Sequence, residues 1–238
     1  MGEGQVQSLS GLLNLFLELG CSLCQRSTPG ELCQGCQRQI QRCQGSDAQW
    51  QEPLPLFAWG VYGGALKRAI ATLKYDNQPR LARPLGHWLA QAWLESSQQK
   101  MLRQKPTVVP IPMYAAKKQQ RGYDQAELLA KHFCEFAGLP LQRRGLERIR
   151  STEAQFTLSA TAREENLSDA FRVGKELQRH RSSAVLLLDD VYTTGATARS
   201  AMQILHHHAI EVVGLVAIAK PIMEARNKLE HKTSSSSL

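Results

Sequence analysis

Residues 185–197 read Val185-Leu186-Leu187-Leu188-Asp189-Asp190-Val191-Tyr192-Thr193-Thr194-Gly195-Ala196-Thr197. The continuous apolar run that starts this segment is typical of a strand covered on both faces of a parallel sheet. Two carboxylates follow, and then a short loop of hydroxyl residues and glycine that opens a helix. Ligands of open α/β sheets bind at the carboxyl ends of the strands, so we expect the functional site at this loop.

The segments around this loop predict an α/β domain. A helix over residues 197–208 and a second apolar strand over residues 212–219 complete a βαβ unit, which implies a parallel sheet. Upstream, residues 107–112 predict a short buried strand that ends in a proline-constrained loop. Periodic apolar residues predict further helices over residues 64–75, 81–94 and 123–137, and the polar residues 143–166 are expected to form a long loop or lid.

The loop itself has the composition of a phosphate cradle. Its hydroxyls and backbone N–H groups converge beside the positive end of the helix dipole, and glycine lets the backbone approach a ligand closely. Asp189 and Asp190 are suited to accept hydrogen bonds from vicinal hydroxyls or to hold Mg²⁺, directly or through water. A phosphate site beside a diol site indicates a ribose 5-phosphate ligand. The cradle residues are Thr193, Thr194, Gly195, Ala196 and Thr197.

A strand with an acidic cap and an ordinary turn is the alternative interpretation of this segment. It leaves two adjacent acids at the end of a buried strand unexplained, because such ends are where ligands of this class of fold bind.

Four of the six cysteines form two C-x-x-C pairs, Cys21 with Cys24 and Cys33 with Cys36. Each pair presents two thiolates to one tetrahedral ion, so the spacing predicts a closed, structural Zn²⁺ site. The spacer between the pairs is shorter than in common zinc ribbons, and the turn at residues 29–30 is expected to fold the second pair back. A redox pair is the alternative, and Cys43 is an alternative ligand.

The positive charge of the chain is concentrated in its middle. The formal net charge is +8, and residues 63–150 hold 16 of the 29 Lys and Arg but only 6 of the 21 Asp and Glu. A nucleic acid or a small, multiply phosphorylated substrate suits this concentration. Basic helix faces on an ordinary soluble protein are the alternative.

The length of 238 residues indicates one or two domains. The apolar run at residues 12–19 is too short and polar to span a bilayer, and it lacks the features of a signal peptide, so a cytoplasmic location without a membrane span is expected. A proline break at residues 53–55 is the best domain boundary. The expected division is an N-terminal segment with the cysteine module at 1–45, a linker at 46–56, the main domain at 57–222 and a disordered tail at 223–238.

Other conspicuous residues have structural interpretations. The three histidines at 206–208 are expected at a solvated helix end, because consecutive helical positions point in different directions. Cys134 is expected in the core rather than as a nucleophile. Trp88 belongs to an apolar helix stripe, whereas Trp50 and Trp59 are candidates for stacking on bases.

The stretch at residues 189–197 resembles the phosphoribosyl diphosphate (PRPP) motif of the type I phosphoribosyltransferases. Together with the cysteine pairs, it makes the chain similar to the ComF-type competence proteins, which join a four-cysteine zinc module to a phosphoribosyltransferase-like domain. Further matching blocks are Leu73-Lys74-Tyr75, Val109-Pro110-Ile111-Pro112, Arg121-Gly122-Tyr123-Asp124-Gln125, Arg148-x-Arg150-x-Thr152 and Arg163-x-x-Asn166. The family more often has Phe-Asn where Tyr123-Asp124 stand, and Ile where Tyr192 stands.

The resemblance implies a parallel-sheet, type I phosphoribosyltransferase-like fold with a small N-terminal zinc module. By similarity, Asp189 and Asp190 take the ribose hydroxyls, and residues 193–197 take the 5-phosphate. The loop that begins at Pro110 takes Mg-diphosphate, helped by Lys74 and Arg121. Residues 148–166 resemble the mobile lid of the family, from which Arg150 and Arg163 reach the diphosphate.

Two hypotheses of function follow. In the first, the chain is an enzyme that transfers phosphoribosyl from Mg-PRPP to an unidentified acceptor and takes part in DNA uptake during natural transformation. In the second, it handles single-stranded DNA without catalysis, together with other DNA-uptake proteins, and its PRPP pocket is regulatory or vestigial. Phosphoribosyl transfer demands no dedicated general base, since stabilising the leaving group, excluding water and positioning the acceptor suffice.

Overall fold

The computed structural model describes residues 20–45, 55–102, 104–150, 170–179 and 184–221. The strands in these ranges are β1 (Leu56–Val61), β2 (Thr107–Pro110), β3 (Leu146–Arg148), β4 (Phe171–Val173), β5 (Val185–Val191) and β6 (Val212–Lys220). The helices are α1 (Gln34–Gln41), α2 (Gly64–Tyr75), α3 (Ala82–Glu95), α4 (Ser97–Met101), α5 (Ala115–Arg121), α6 (Gln125–Ala137), α7 (Lys175–Arg179) and α8 (Ala196–His207). A 3₁₀ turn at Pro79–Leu81 precedes α3.

The central sheet has the strand order β1-β6-β5-β2, and its neighbouring strands are all parallel. The predicted βαβ unit is therefore confirmed as β5, α8 and β6. In the pairing of β2 with β5, Pro110 stands opposite Leu188, so the loop after β2 begins beside the two aspartates that end β5. The parallel-sheet α/β class predicted from the sequence is confirmed.

Apolar residues cover the sheet on both faces. On one face, α2, α3 and α6 pack against the sheet, with Leu66, Leu89 and Phe133 among their fully buried residues. On the other face, α8 packs together with the β3–β4 pair and α7. The alternating residues of β5 enter both cores, Leu186 on the first face and Leu187 on the second. Burial on both faces explains why residues 185–188 of β5 are continuously apolar.

The cysteine module lies against the edge of the sheet. Its last residues continue onto β1: Val61 N–H donates to the Cys43 carbonyl over 2.9 Å, and Gly45 N–H donates to the Trp59 carbonyl over 3.0 Å. Gly60 permits this approach, because a Cβ at that position would lie 2.6 Å from the Cys43 carbonyl oxygen. Ile40 of α1 is fully buried in the first core. The module and the main domain thus share one core, while the expected boundary at 45/46 stays a prediction.

The structure corrects two sequence predictions and adds elements that the sequence did not predict. Residues 143–166 were expected to be loop throughout, but Leu146–Arg148 form β3, which pairs antiparallel with β4. Strand β1 and helix α5 were not predicted. Trp59, a candidate for stacking on bases, is buried and its ring lies 5.7 Å from that of Trp88, because it fills the core beneath α3. Trp50 lies outside the described residues.

The predicted helices begin and end within two residues of the observed α2, α3, α6 and α8. In the described part of the chain, no helix has both the length and the apolar character needed to cross a membrane.

Candidate functional site

The two aspartates stand at the carboxyl end of β5, where the apolar strand meets the loop. Asp190 is buried, and its N–H donates to the Asp189 carboxylate over 2.7 Å. Burial, and next to it the charge of Asp190, raises the pKa of Asp189 to about 8. A carboxyl group with such a pKa carries a proton over much of the neutral range and becomes ionised when a cation or a hydroxyl donor approaches.

Lys74 brings a cation to this strand end from the last turn of α2. Its Nζ lies 2.9 Å from Oδ1 and from Oδ2 of Asp190, and its side chain is 20% exposed. Burial alone lowers the pKa of Lys74, but the charge of Asp190 and the hydrogen bond to it outweigh burial, so the pKa is raised. Lys74 and Asp190 thus form a charged pair at the floor of the candidate site.

The loop after β5, which the sequence predicts to be a phosphate cradle, leads directly into α8. Gly195 is buried in the left-handed region (φ 75°), and a Cβ there would overlap the Tyr192 ring, 2.3 Å from its hydroxyl oxygen. Thr193 and Thr194 are exposed, whereas Ala196 and Thr197 are half-buried. The first N–H groups of α8 have no partner within the helix, which is the condition for anion binding there.

Arg199 is a further cation at this loop, and it was not among the site residues expected from the sequence. It lies in the first turn of α8, and its guanidinium donates to the Thr194 carbonyl over 2.9 Å. Its position four residues after Gly195, in the first turn of the helix that follows the loop, is the sequence feature that could have predicted a role at this site.

The loop after β2 is tied to α6 by Asp124. Ile111 N–H donates to the Leu188 carbonyl over 2.8 Å, which places the start of this loop beside the aspartates. Two residues further on, Met113 N–H donates to Asp124 Oδ2 over 2.9 Å. The other carboxylate oxygen, Oδ1, caps α6 by accepting from Ala126 N–H. One buried carboxylate therefore connects the loop to the helix, although burial raises its pKa.

The neighbouring residues connect the same segment to α2. The Tyr123 hydroxyl donates to the Leu73 carbonyl, next to Lys74. Arg121 lies over the Tyr75 ring, with 5.5 Å between the guanidinium carbon and the ring centroid, and donates to the Gln125 side chain. Lys74 and Arg121 are therefore joined through the end of α2, and Arg121 contacts the Tyr75 ring and the Gln125 side chain. The sequence analysis assigned no role to Tyr123 or Asp124, although an Asp directly before a helix is a recognised cap signal.

The lid arginines are only partly described. Arg150 is exposed just after β3, and the preceding Ile149 N–H donates to the Ala170 carbonyl over 2.9 Å. Arg148 lies over the Phe171 ring, 5.5 Å from its centroid. Arg163 lies outside the described residues, as does most of the expected lid.

The four cysteines of the two C-x-x-C pairs form one cluster. Their sulfur atoms all lie within 4.8 Å of one another, and Cys24 and Cys33 Sγ are 3.6 Å apart. Burial raises the pKa of Cys21, but hydrogen bonds to its thiolate, those from the backbone of Cys33 and Leu23 foremost, outweigh burial and lower the pKa to about 6. Four sulfurs that converge in this way fit a tetrahedral soft metal ion.

The remaining cysteines lie apart from this cluster. Cys43 Sγ contacts the carbonyl oxygens of Gln39 and Gly63 at 3.7 and 3.8 Å, so it is not a fifth member. Cys134 is buried in the first core, and burial raises the pKa of its thiol to about 12. The expected place of Cys134 in the core is confirmed. The three histidines at 206–208 are exposed at the end of α8, as expected.

Comparison with known proteins adds the evolutionary relationship. No protein-family model matches the chain. Competence protein F of Haemophilus influenzae is 29% identical over 207 residues, which cover 79% of this chain and 90% of that protein. The chain is a homologue of the ComF-type proteins. DNA utilization protein YhgH of Escherichia coli K12 is 27% identical over 231 residues, which cover 91% of this chain and 99% of that protein. The resemblance to the ComF type stated from the sequence is confirmed.

Solved adenine phosphoribosyltransferases match at low similarity. The enzyme of Leishmania donovani is 16% identical with a TM-score of 0.37, and the match covers 63% of this chain and 56% of that chain. The enzyme of Trypanosoma brucei is 11% identical with a TM-score of 0.38, and the match covers 85% of this chain and 88% of that chain. The fold class of this chain rests on its own strand order.

Proposed function

We propose that the protein binds Mg-PRPP at the carboxyl ends of β5 and β2 and transfers its phosphoribosyl group to an acceptor, in the service of DNA uptake. The observation that carries this proposal is the pair of aspartates at the end of a buried parallel strand, beside Lys74 and followed at once by a helix-opening cradle. The homologues named Competence protein F and DNA utilization protein support the role in DNA uptake. A cytoplasmic location belongs to the same proposal.

We assign the subsites from the resemblance to the phosphoribosyltransferases and from the position of the residues around the end of β5. The cradle at residues 193–197 takes the 5-phosphate, since helix N–H groups favour an anion. Asp189 and Asp190 accept hydrogen bonds from the ribose hydroxyls. The loop from Pro110, with Lys74 and Arg121, takes the diphosphate, and we assign the outer diphosphate oxygens to Arg150 and Arg163. Carboxylates and diphosphate oxygens are the ligands that Mg²⁺ prefers, and the ion neutralises diphosphate charge when bound.

In the transfer, the bond between the anomeric carbon and the diphosphate oxygen breaks, and the acceptor atom bonds to that carbon. Positive charge develops on the ribose ring and negative charge on the diphosphate. Lys74 pairs with Asp190 beneath the ribose, so the protein holds the sugar by its hydroxyls while the leaving group separates. The acceptor is not assigned, and no side chain is assigned as its base.

For the cysteine cluster we propose a structural Zn²⁺ held by Cys21, Cys24, Cys33 and Cys36. Support comes from the four convergent sulfurs and from the lowered pKa of Cys21. When bound, the ion cross-links the loop at residues 21–24 to the start of α1, and α1 in turn buries Ile40 in the first core.

Thermal unfolding tests PRPP binding, because a ligand that binds only the folded chain raises Tm. Mg-PRPP is expected to raise the Tm of the native protein and not that of the Asp189→Asn, Asp190→Asn double variant. Glu211→Gln, an exposed carboxyl change at the opposite end of the sheet, serves as the matched control and is expected to keep the full rise. A rise of equal size in the double variant would refute the assignment.

Binding of single-stranded DNA without catalysis is the second candidate function. It is favoured by the excess of Lys and Arg over residues 63–150 and by helix α5, which buries none of its residues. Phosphate contacts make such binding strongly dependent on salt. Reversing the charges of Lys117, Lys118, Arg143 and Arg144 is expected to abolish it, whereas binding unaffected by that reversal would remove this candidate.

A further inference from the structure

Tyr75 is the most exposed large hydrophobic residue in the described part of the chain. It ends α2 and is 75% exposed, compared with 47% for Phe136. The preceding residue, Lys74, turns inward to Asp190, so the Tyr75 ring stands at the rim of the candidate site. Single exposed rings are ordinary on protein surfaces, so a functional role for Tyr75 has to be argued from the charged side chains around it.

Arg121 fixes one side of the ring. Its guanidinium carbon lies 5.5 Å from the ring centroid, within the range of a cation–π contact. The same guanidinium donates to the Gln125 side chain, so α6 holds the arginine in place. The ring is thus positioned by a cation while most of its surface stays open to solvent.

A basic strip continues from Arg121 along the surface; we define it as Lys118, Arg121 and Arg143. Lys118 Nζ lies 2.7 Å from one carboxylate oxygen of Glu127, and an Arg143 guanidinium nitrogen lies 3.7 Å from the other. Lys118 and Arg143 share one carboxylate and Arg121 adds a third cation, so the strip is net positive. Lys118 and Arg121 lie on α5, which buries none of its residues, and Arg143 is exposed.

An open aromatic ring beside a line of cations is the combination by which proteins hold single-stranded nucleic acid. The cations follow the phosphates, and the ring stacks on a base, which every nucleotide provides. A small phosphorylated ligand would use the cations alone, and a duplex keeps its base faces covered. The combination therefore favours a single strand.

We infer that Tyr75 is a stacking platform for a base of single-stranded DNA whose phosphates follow the basic strip. The inference deepens the DNA-handling part of the proposed function and rests on it. It gives the strand a defined place: one base lies on Tyr75, next to the charged pair of Lys74 and Asp190.

Fluorescence anisotropy tests the platform with labelled oligothymidine of about fifteen nucleotides and with an abasic strand of equal length. Removing one stacked base contact weakens binding by about tenfold. Tyr75→Leu is therefore expected to bind oligothymidine about tenfold more weakly than the native protein does. Tyr75→Phe keeps the ring and is expected to bind as the native protein does. Phe136→Leu removes an exposed ring at the far end of α6 and serves as the matched control.

The abasic strand separates stacking from charge. The native protein is expected to prefer oligothymidine to the abasic strand, and Tyr75→Leu to bind the two alike. Because the substitution changes no charge, the salt dependence should be unaltered. Native-like binding of oligothymidine by Tyr75→Leu, or an equal loss on both strands, would overturn the platform alone. If the native protein binds neither strand, the DNA-handling proposal and the platform both fail, while the PRPP site is judged by its own titration.

Discussion

Lys74 Nζ and Asp190 Oδ2 lie 2.9 Å apart, although 116 positions separate the two residues in the chain. The pair joins the end of α2 to the end of β5 and places a cation and two carboxylates at one edge of the sheet. The carboxylate side chain is only 6% exposed, so Asp190 depends on Lys74 for its charge balance. The ion pair in the candidate site therefore also links α2 to β5 and contributes to the stability of the fold.

Lys74→Met is expected to destabilise the protein. Removing one partner of a buried ion pair leaves the other charge without compensation, which costs about 3 kcal/mol. Urea unfolding measures the change in the free energy of unfolding. The matched control is Lys131→Met, which removes a lysine 3.8 Å from Glu135 on the surface and is expected to cost less than about 0.5 kcal/mol. Equal costs for both variants would contradict a structural role for the pair.

The raised pKa of Asp189 predicts a pH dependence of stability. Burial, with the charge of Asp190, raises the pKa to about 8 in the folded chain, whereas an unfolded aspartate titrates near about 4. The folded chain therefore holds the proton more tightly. The stability from this proton is fully present below about pH 4 and is lost as pH rises through about 8.

Asp189→Asn cannot lose this proton, so its stability relative to the native protein is expected to increase between about pH 5 and about pH 8. Urea midpoints measured across that range provide the comparison. Glu211→Gln, whose side chain is exposed, should follow the native curve. A native-to-Asp189→Asn difference that stays constant with pH would show that Asp189 titrates at its ordinary pKa.

Asp124 is expected to position the diphosphate loop. Asp124→Ser keeps an oxygen that caps α6 but removes the acceptor for Met113 N–H, so the loop after β2 loses its tie. We expect about tenfold weaker binding of Mg-PRPP, since one hydrogen bond to a charged group is worth about 1.5–3 kcal/mol. Binding of ribose 5-phosphate, which lacks the diphosphate, should be unchanged in calorimetric titrations.

Ser96→Ala is the control for this prediction, because it removes the cap of α4 away from the site. It is expected to bind both ligands as the native protein does. If Asp124→Ser weakened the binding of Mg-PRPP and of ribose 5-phosphate equally, Asp124 would be acting on the fold as a whole and not on the loop after β2.

Removal of metal is expected to destabilise the whole protein. Because Ile40 of α1 lies in the same core as α2 and α3, the cysteine module and the main domain should unfold in one transition. Chelation, or Cys21→Ser, should lower the Tm of that transition by several degrees or more. Cys43→Ser, outside the cluster, should leave the Tm nearly unchanged. A separate low-temperature transition for the module would contradict the shared core.

The sequence predicted the fold where a local pattern was strong. Residues 185–188 of β5 are continuously apolar because both faces of the strand are buried there, and α2 shows its buried residues at helical spacing. Strand β1 was missed because the prolines before it marked a break, although the strand starts directly after Pro55. Helix α5 was missed because it buries no residue and so has no apolar period to detect.

Only those residues of the candidate site that are contiguous in the chain could be predicted from the sequence. The aspartates and the cradle are contiguous in the chain, and their proximity follows from one strand and one turn. The pairing of Lys74 with Asp190, the tie between Met113 and Asp124 and the contact of Arg121 with Tyr75 are tertiary contacts, which no spacing in a single sequence encodes. The burial of Trp59 likewise depends on how the cysteine module and α3 pack on β1.

The most direct test is calorimetric titration of the zinc-loaded native protein with PRPP, with and without Mg²⁺. The account predicts saturable binding that requires Mg²⁺, disappears in the Asp189→Asn, Asp190→Asn double variant and persists in Glu211→Gln. Failure of the native protein to bind Mg-PRPP at millimolar concentration, or undiminished binding by the double variant, would contradict a PRPP site at the end of β5.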